Sequence, residues 1–441
     1  MSTRGASLNR DILRLAVPAF GALVAEPLFL LVDSALIGHL GVAPLAGLGI
    51  AGAVLQTIVG LMVFLAYSTT PAVARRFGAG DPTRAVSVGI DGMWLALALG
   101  AVLALAGSLA TPLLVGAFGA EAEVTRNAET YLGISVWGLP AMLIVFAATG
   151  LLRGMQDTVT PLWIAGIGFG ANAVLNVVFI YGLGWGIAGS AFGTVVAQWG
   201  MVAAYVAVVG RLARTHAASV RPQREGVRGS ARSGGWMFLR TVSLRAALLA
   251  TVAVATGQGA AELAGWQVVF TIFSASAFAL DALAIAAQAL VGKGLGAGDE
   301  REVQRVLRRT TAWGVWFGVV VGAIVAALSG VIGLVFTGDP QVAALVQPAL
   351  LVLAVAQPLS AVVFVLDGVL IGAGDARYLA LAGALNLVVF IPALAVVAAL
   401  GVSGAAGIAW LAAAFSGAYM LARLVTLGWR VRGRAWMTAG A

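Results

Sequence analysis

The chain has 441 residues, of which 61% are hydrophobic and 10% charged, and its mean hydropathy is +1.00. A soluble domain could not bury so much apolar surface and needs more charge, so the composition places the chain in a bilayer. The formal charge of +8 reads as membrane topology, with some attraction to anionic headgroups, rather than as a nucleic-acid footprint, and the absence of cysteine excludes a disulfide framework or thiolate metal site.

Apolar stretches of roughly 20 residues can each cross a hydrocarbon core of about 30 Å as a helix. Twelve are predicted, at about 11–37, 48–74, 87–111, 125–150, 160–183, 187–210, 236–257, 265–291, 309–336, 342–367, 377–400 and 402–428. The first holds Pro18, Glu26, Pro27 and Asp33 and lacks a small-residue cleavage site after a short core. It reads as a membrane helix and not as a signal peptide. Gly78-Ala79-Gly80-Asp81 joins spans two and three. It lacks the spacing of a nucleotide-binding loop, so the expected roles are Gly closing one helix and Asp capping the next. Asp91, near the start of span three, reads as interfacial. Span four carries Tyr131, the following turn carries Asp157 as another cap, span five carries Asn172 and Asn176, and span six carries Thr194. Asn172 and Asn176 are four apart and share one helical face.

Residues 211–235, RLARTHAASVRPQREGVRGSARSGG, form the long polar stretch of the chain and read as a linker. It separates an N-lobe, 1–210, from a C-lobe, 236–441, each with six spans. Asp281 lies in span eight and Asp367 in span ten, and Asp375, in the turn after it, is expected to cap the next helix as Asp157 does. Ionisable groups inside a membrane are costly unless paired or wet, which makes Asp33 a first candidate for function and Glu26, Asp281 and Asp367 secondary ones. Asp33 with Tyr131, Asn172, Asn176 and Thr194 suggests a polar pocket in the first half. Pro18 and Pro27 free backbone carbonyls and permit the first helix to bend.

The halves are copies. Ala43-Pro44-Leu45-Ala46-Gly47 recurs as Ala261-Glu262-Leu263-Ala264-Gly265, Gly78–Asp81 as Gly296–Asp299, and Gly150–Asp157 as Gly368–Asp375, all at one offset of 218 residues. Six spans per copy make the repeats parallel. Arg and Lys cluster on the side that holds both termini, whereas the opposite side keeps only Arg126, beside Glu121, Glu123 and Glu129. Positive residues mark the cytoplasmic face, so the expected setting is the inner (plasma) membrane with both termini cytoplasmic. The offset carries Asp33 onto Thr251, so the second copy lacks this carboxylate.

Four stretches resemble the MATE family of multidrug and toxic compound extrusion transporters, in its DinF-like branch. They are Pro18 followed by LLVDSALIGHLG, STTPAVARRFGAGD ending at Asp81, RGMQDTVTP ending at Pro161, and LDGVLIGAGDARYLA around Asp375. The resemblance implies an all-α membrane protein of twelve helices in two six-helix lobes around a central cavity. For the DinF-like branch it implies a coupling site at Asp33, Tyr131, Asn172, Asn176 and Thr194, with a helix-one kink at Pro18. The chain departs from that pattern at Asn176, which stands where such relatives carry an acid. It also has no acid in span seven, where NorM-like members carry a glutamate, although Asp367 remains in span ten.

The function expected is a monomeric antiporter that exports amphipathic, cationic drugs or toxic compounds in exchange for protons. Protonation of Asp33 rearranges its neighbours and bends helix one. No cofactor is expected beyond the coupling ion. Sodium coupling is an alternative, as is a lipid-linked oligosaccharide flippase, which calls for arginines or lysines in a cavity. An enzyme is not expected, since His39 and His216 fall in loops and no nucleophile or metal cluster accompanies them.

Overall fold

The computed structural model describes residues 3–336 and 340–440. It contains twelve helices long and apolar enough to cross a membrane. In chain order these are α1 (Thr3–Gly38), α2 (Val42–Gly78), α3 (Pro82–Gly116), α4 (Ala122–Gly154), α5 (Val159–Gly182) and α6 (Gly186–Thr215), then α7 (Arg224–Gln258), α8 (Ala260–Gly296), α9 (Glu300–Phe336), α10 (Pro340–Gly372), α11 (Ala376–Ala399) and α12 (Gly404–Arg432). α1 stays helical through both Pro18 and Pro27. α4 tightens into a 3₁₀ turn at Val136–Gly138, just before Pro140, whose ring leaves no N–H for an ordinary helical bond. Two π-helical turns occur, at Val178–Gly182 in α5 and Ala413–Tyr419 in α12.

The chain divides into two compact units. The first is Val17–Gly234; the second comprises the residues up to Ala16 together with Gly235–Gly440. Both α1 and α7 are therefore shared between units, and the cut points, after Ala16 and after Gly234, lie one repeat offset of 218 residues apart. The stretch 211–235, read from sequence as a linker, is helical at both ends, and the connection shrinks to 216–223. Its start is fastened to α3. The Thr83 hydroxyl donates to the His216 carbonyl at 2.7 Å, Trp94 Nε1 to the Val220 carbonyl at 3.0 Å, and the Gln223 N–H to Asp91 Oδ1 at 2.7 Å. Asp91, expected at an interface, is 1% exposed and sits against Gly226, where any side chain would strike the carboxylate.

Three of the four repeated turn aspartates cap helices as expected. Asp81 accepts the Arg84 N–H at 2.9 Å, Asp157 those of Val159 and Thr160 at 3.0 and 2.9 Å, and Asp299 that of Glu302 at 2.9 Å. Asp375 does not; it accepts Arg430 Nε of α12 at 2.6 Å instead.

The repeated Gly-x-x-x-Gly of α4 and α10 has a packing role that matches between copies. In the first unit a Cβ on Gly150 would lie 2.9 Å from the Ala66 carbonyl oxygen, and one on Gly154 would lie 2.8 Å from that of Thr70. In the second, Gly368 meets the Ala284 carbonyl at 2.5 Å and Gly372 that of Gln288. Each contact maps onto its counterpart at the repeat offset. Small residues let backbones close up where no hydrophobic force between helices exists. The six helices of the first unit meet in one core, among them Ile37, Ala51, Val115, Leu132, Ile180 and Ala191, and Tyr131 is part of it.

Gly150→Val and Gly368→Val are each expected to destabilise the protein by about 1–3 kcal/mol through overpacking, read as a lowered unfolding midpoint in detergent. An unchanged midpoint for either would contradict this backbone contact.

Candidate functional site

Asp33 is 3% exposed, five residues from the end of α1. Its carboxylate accepts three hydrogen bonds from three other helices. Tyr131 Oη of α4 donates to Oδ2 at 3.2 Å, while Asn176 Nδ2 of α5 and Ser190 Oγ of α6 each donate to Oδ1 at 2.7 Å. Asn176 Nδ2 also reaches Asn172 Oδ1 at 3.1 Å, and Asn172 Nδ2 donates to Thr194 Oγ1 at 3.0 Å. All of these residues are buried. A carboxylate out of water needs such donors, since an unmatched charge in an apolar setting is far more costly than a satisfied one.

The local sequence explains the convergence. The spacing of Asn172 and Asn176 puts both amides on one face of α5, and Ser190 and Thr194, also four apart, share a face of α6. Gly193 adds a further condition: any Cβ there would strike Asn176 Oδ1, which is buried and has no partner. Asn176 is thus fixed with its amide nitrogen toward Asp33 and its oxygen against a glycine.

All five coupling residues anticipated from sequence come together. Ser190, missed from sequence, belongs with them at the same 2.7 Å as Asn176; its spacing before Thr194 was the available signal. Glu26 lies on an exposed part of α1 and makes none of these bonds. Pro18 stands one residue beyond the unit boundary, within unbroken helix. Asp281 is half-buried on α8, in the second unit. Asp367 is held there by Arg240 and Arg423, a poor arrangement for a metal cation, because both guanidinium groups compete for the carboxylate.

Twelve apolar helices in duplicated sets, with a carboxylate enclosed by neutral donors from three helices, define a multi-pass membrane protein. The MatE family model matches residues 18–178 and 238–397, one segment in each half, and the chain belongs to this family. Its members are transporters rather than enzymes. The chain is 31% identical over 438 residues to Protein DETOXIFICATION 44, chloroplastic, of Arabidopsis thaliana, covering 96% of this chain and 82% of the relative. To the DNA damage-inducible protein F of Escherichia coli it is 28% identical over 308 residues, covering 68% and 67%. Among solved structures it is similar to the Vibrio cholerae MATE transporter VcmN in its bent form, with TM-score 0.86, 20% identity and coverage of 99% and 100%.

Gly193→Ala is expected to displace Asn176 and lower the unfolding midpoint by about 1–3 kcal/mol of stability. Gly200→Ala, on the same helix with open space around it, should leave the midpoint within error. Equal midpoints for the two variants would refute the fixed position of Asn176.

Proposed function

We propose that the protein is a proton-coupled exporter of amphipathic organic compounds, set in the plasma membrane with both termini cytoplasmic. The observation that carries this reading is the donor set around Asp33: an amide N–H, a serine hydroxyl and a phenol, all neutral. Such a shell favours the carboxylate, and it changes when a proton arrives. Serine and tyrosine hydroxyls can rotate and accept, but an amide NH₂ cannot. A proton on Oδ2 therefore turns the Tyr131 hydroxyl from donor to acceptor, whereas a proton on Oδ1 removes the bond from Asn176 unless the amide turns over and offers its own Oδ1, the atom now unpartnered beside Gly193.

One proton thus redirects the hydrogen bonds that join α1 to α4, or those that join it to α5 and α6, according to the oxygen it takes. The chain achieves this with Asn176 where DinF-like relatives are expected to use an acid, so the exchange is between a carboxylate and an amide rather than within a pair of carboxylates. A donor-lined carboxylate serves a proton better than a sodium ion, which needs several oxygen acceptors turned toward it. The displacement of α1 by Pro18 bending is part of this proposal, with proline freeing the backbone bond that resists it. Each proton entering contributes about 2.3 kcal/mol per 100 mV and about 1.4 kcal/mol per pH unit, so 100 mV and one pH unit together supply about 3.7 kcal/mol, enough for roughly five-hundredfold accumulation. The cytoplasmic placement of the termini rests on the arginine-rich face defined by the sequence.

Cells producing Asp33→Asn at wild-type level are expected to extrude ethidium or norfloxacin at least about tenfold more slowly and without dependence on external pH. Undiminished, pH-coupled efflux would remove Asp33 from the mechanism. In vesicles, release of substrate by sodium at constant pH rather than by acid would replace proton coupling with sodium coupling.

A further inference from the structure

The second unit holds a buried polar centre of its own, built from different residues. Asp367 of α10 accepts Arg240 Nε at 3.3 Å and a second bond from the Nη2 of the same guanidinium, while Arg423 Nη2 of α12 approaches at 3.4 Å. Both arginine side chains are 8% exposed. Arg240 thus takes the carboxylate through a two-bond fork, and Arg423 has one long contact. The other neighbours of Arg423 are the Met420 sulfur at 3.8 Å and the rings of Phe364 and Tyr419, 5.9 and 6.0 Å from their centroids. A guanidinium has five N–H donors matched to planar oxygen pairs, and a thioether and ring faces are weak substitutes for these. The hydroxyls of Tyr419, one turn before Arg423, and Ser360, two turns before Asp367, are buried and have no partner.

The repeat tests whether the fold needs these charges. At the repeat offset Asp367 corresponds to Thr149, Arg423 to Tyr205 and Arg240 to Ala22. Thr149 and Tyr205 meet hydroxyl to hydroxyl at 2.8 Å in the first unit, with Tyr205 fully buried. The same pair of helices therefore packs through one neutral bond, and packing alone does not call for a buried ion cluster, which often adds nothing to stability over neutral groups. The exchange is reciprocal. Positions equivalent to Asp33, Asn172, Asn176, Ser190 and Thr194 are Thr251, Phe390, Leu394, Ile408 and Ala412, so the second unit has lost the first centre while gaining this one.

We propose that Arg423 is the recognition point for the carboxylate of an amphipathic, aromatic organic acid bound in the second unit. Tyr419, whose ring lies beside Arg423, supplies a hydroxyl donor to the ligand's oxygens. Phe415, which packs edge-on to Phe273 at 5.1 Å and stacks on Tyr419 at 5.8 Å, begins an aromatic cluster suited to its ring system. The π-helical turn Ala413–Tyr419 places Phe415 and Tyr419 just before Arg423, a local departure that often marks a functional site. Asp367 competes for the same guanidinium and keeps binding reversible.

The test needs no transport, so it stands or falls separately from proton coupling at Asp33. Full-length protein in uncharged detergent is titrated against anthracene-9-carboxylate and the uncharged anthracene-9-methanol, with binding read by fluorescence anisotropy. The carboxylate is expected to bind at least about tenfold more tightly than the alcohol, given the strength of charge-assisted bonds to arginine. Arg423→Gln should abolish that preference, Asp367→Asn should increase it, and Arg432→Gln, at the exposed end of α12, should leave it unchanged. Equal binding of acid and alcohol, or a preference that survives Arg423→Gln, overturns the proposal. Should Arg423→Gln fail to fold, Asp367→Asn decides alone, and no gain in carboxylate affinity overturns it. Displacement of the probe by phosphatidylglycerol but not phosphatidylcholine would assign the site to a lipid headgroup and overturn the organic-acid form.

Discussion

A hydrocarbon interior offers no water to a polar group, and the architecture of both units follows from that constraint. Backbone groups must be satisfied along each helix, and hydroxyls inside a helix turn back on it: Thr69, Thr111, Thr251 and Thr310 all donate to a carbonyl one turn earlier. Helices then approach by omitting side chains, as the paired glycines of α4 and α10 do. Two buried carboxylates, which no helix can satisfy by itself, gather partners from several helices. Asp33 does this with neutral donors from α4, α5 and α6, and Asp367 with cations from α7 and α12.

The two centres differ in what they can exchange. Around Asp33 every partner is a neutral donor, so the centre responds to a proton by redirecting hydrogen bonds. Around Asp367 the partners already carry charge, and any newcomer must compete with a carboxylate for guanidinium. Duplicated helices have thus been given opposite chemistry at non-equivalent positions, while the glycine contacts that join them were kept at equivalent ones.

Much of this was legible in the sequence. Spans of twenty apolar residues, one shared offset and the acid Asp33 at membrane depth in the first helix led to twelve helices, two copies and the grouping of Asp33 with Tyr131, Asn172, Asn176 and Thr194. The remainder was hidden because one residue type serves two roles. Arg240 and Arg423 looked like the other arginines that mark a membrane face, and only packing reveals that they are buried. Their signal was in the repeat: Arg423 is equivalent to Tyr205, an inward position, and an inward position in one copy is inward in the other. Asp91 was placed at an interface for the same reason, since nothing local foretells that residues 220–226 fold back over it. The extent of α7 was underestimated because a run of arginines, serines and glycines suggests a loop, although the helix begins at Arg224, directly after a connection fastened to α3.

The placement of the unit boundaries has a consequence for the chain as a heritable object. Residues up to Ala16 are counted with the second copy and residues up to Gly234 with the first, and each segment is fastened at the same position of its host: Asn9 accepts Arg309 Nε at 2.6 Å, and position 309 is the counterpart of Asp91, which takes the Gln223 N–H. Each copy therefore lends its leading arm to its twin. A gene severed within the 216–223 connection encodes two fragments, neither of which contains the whole of the unit it builds, so reassembly of such halves requires a reciprocal trade of arms rather than simple docking.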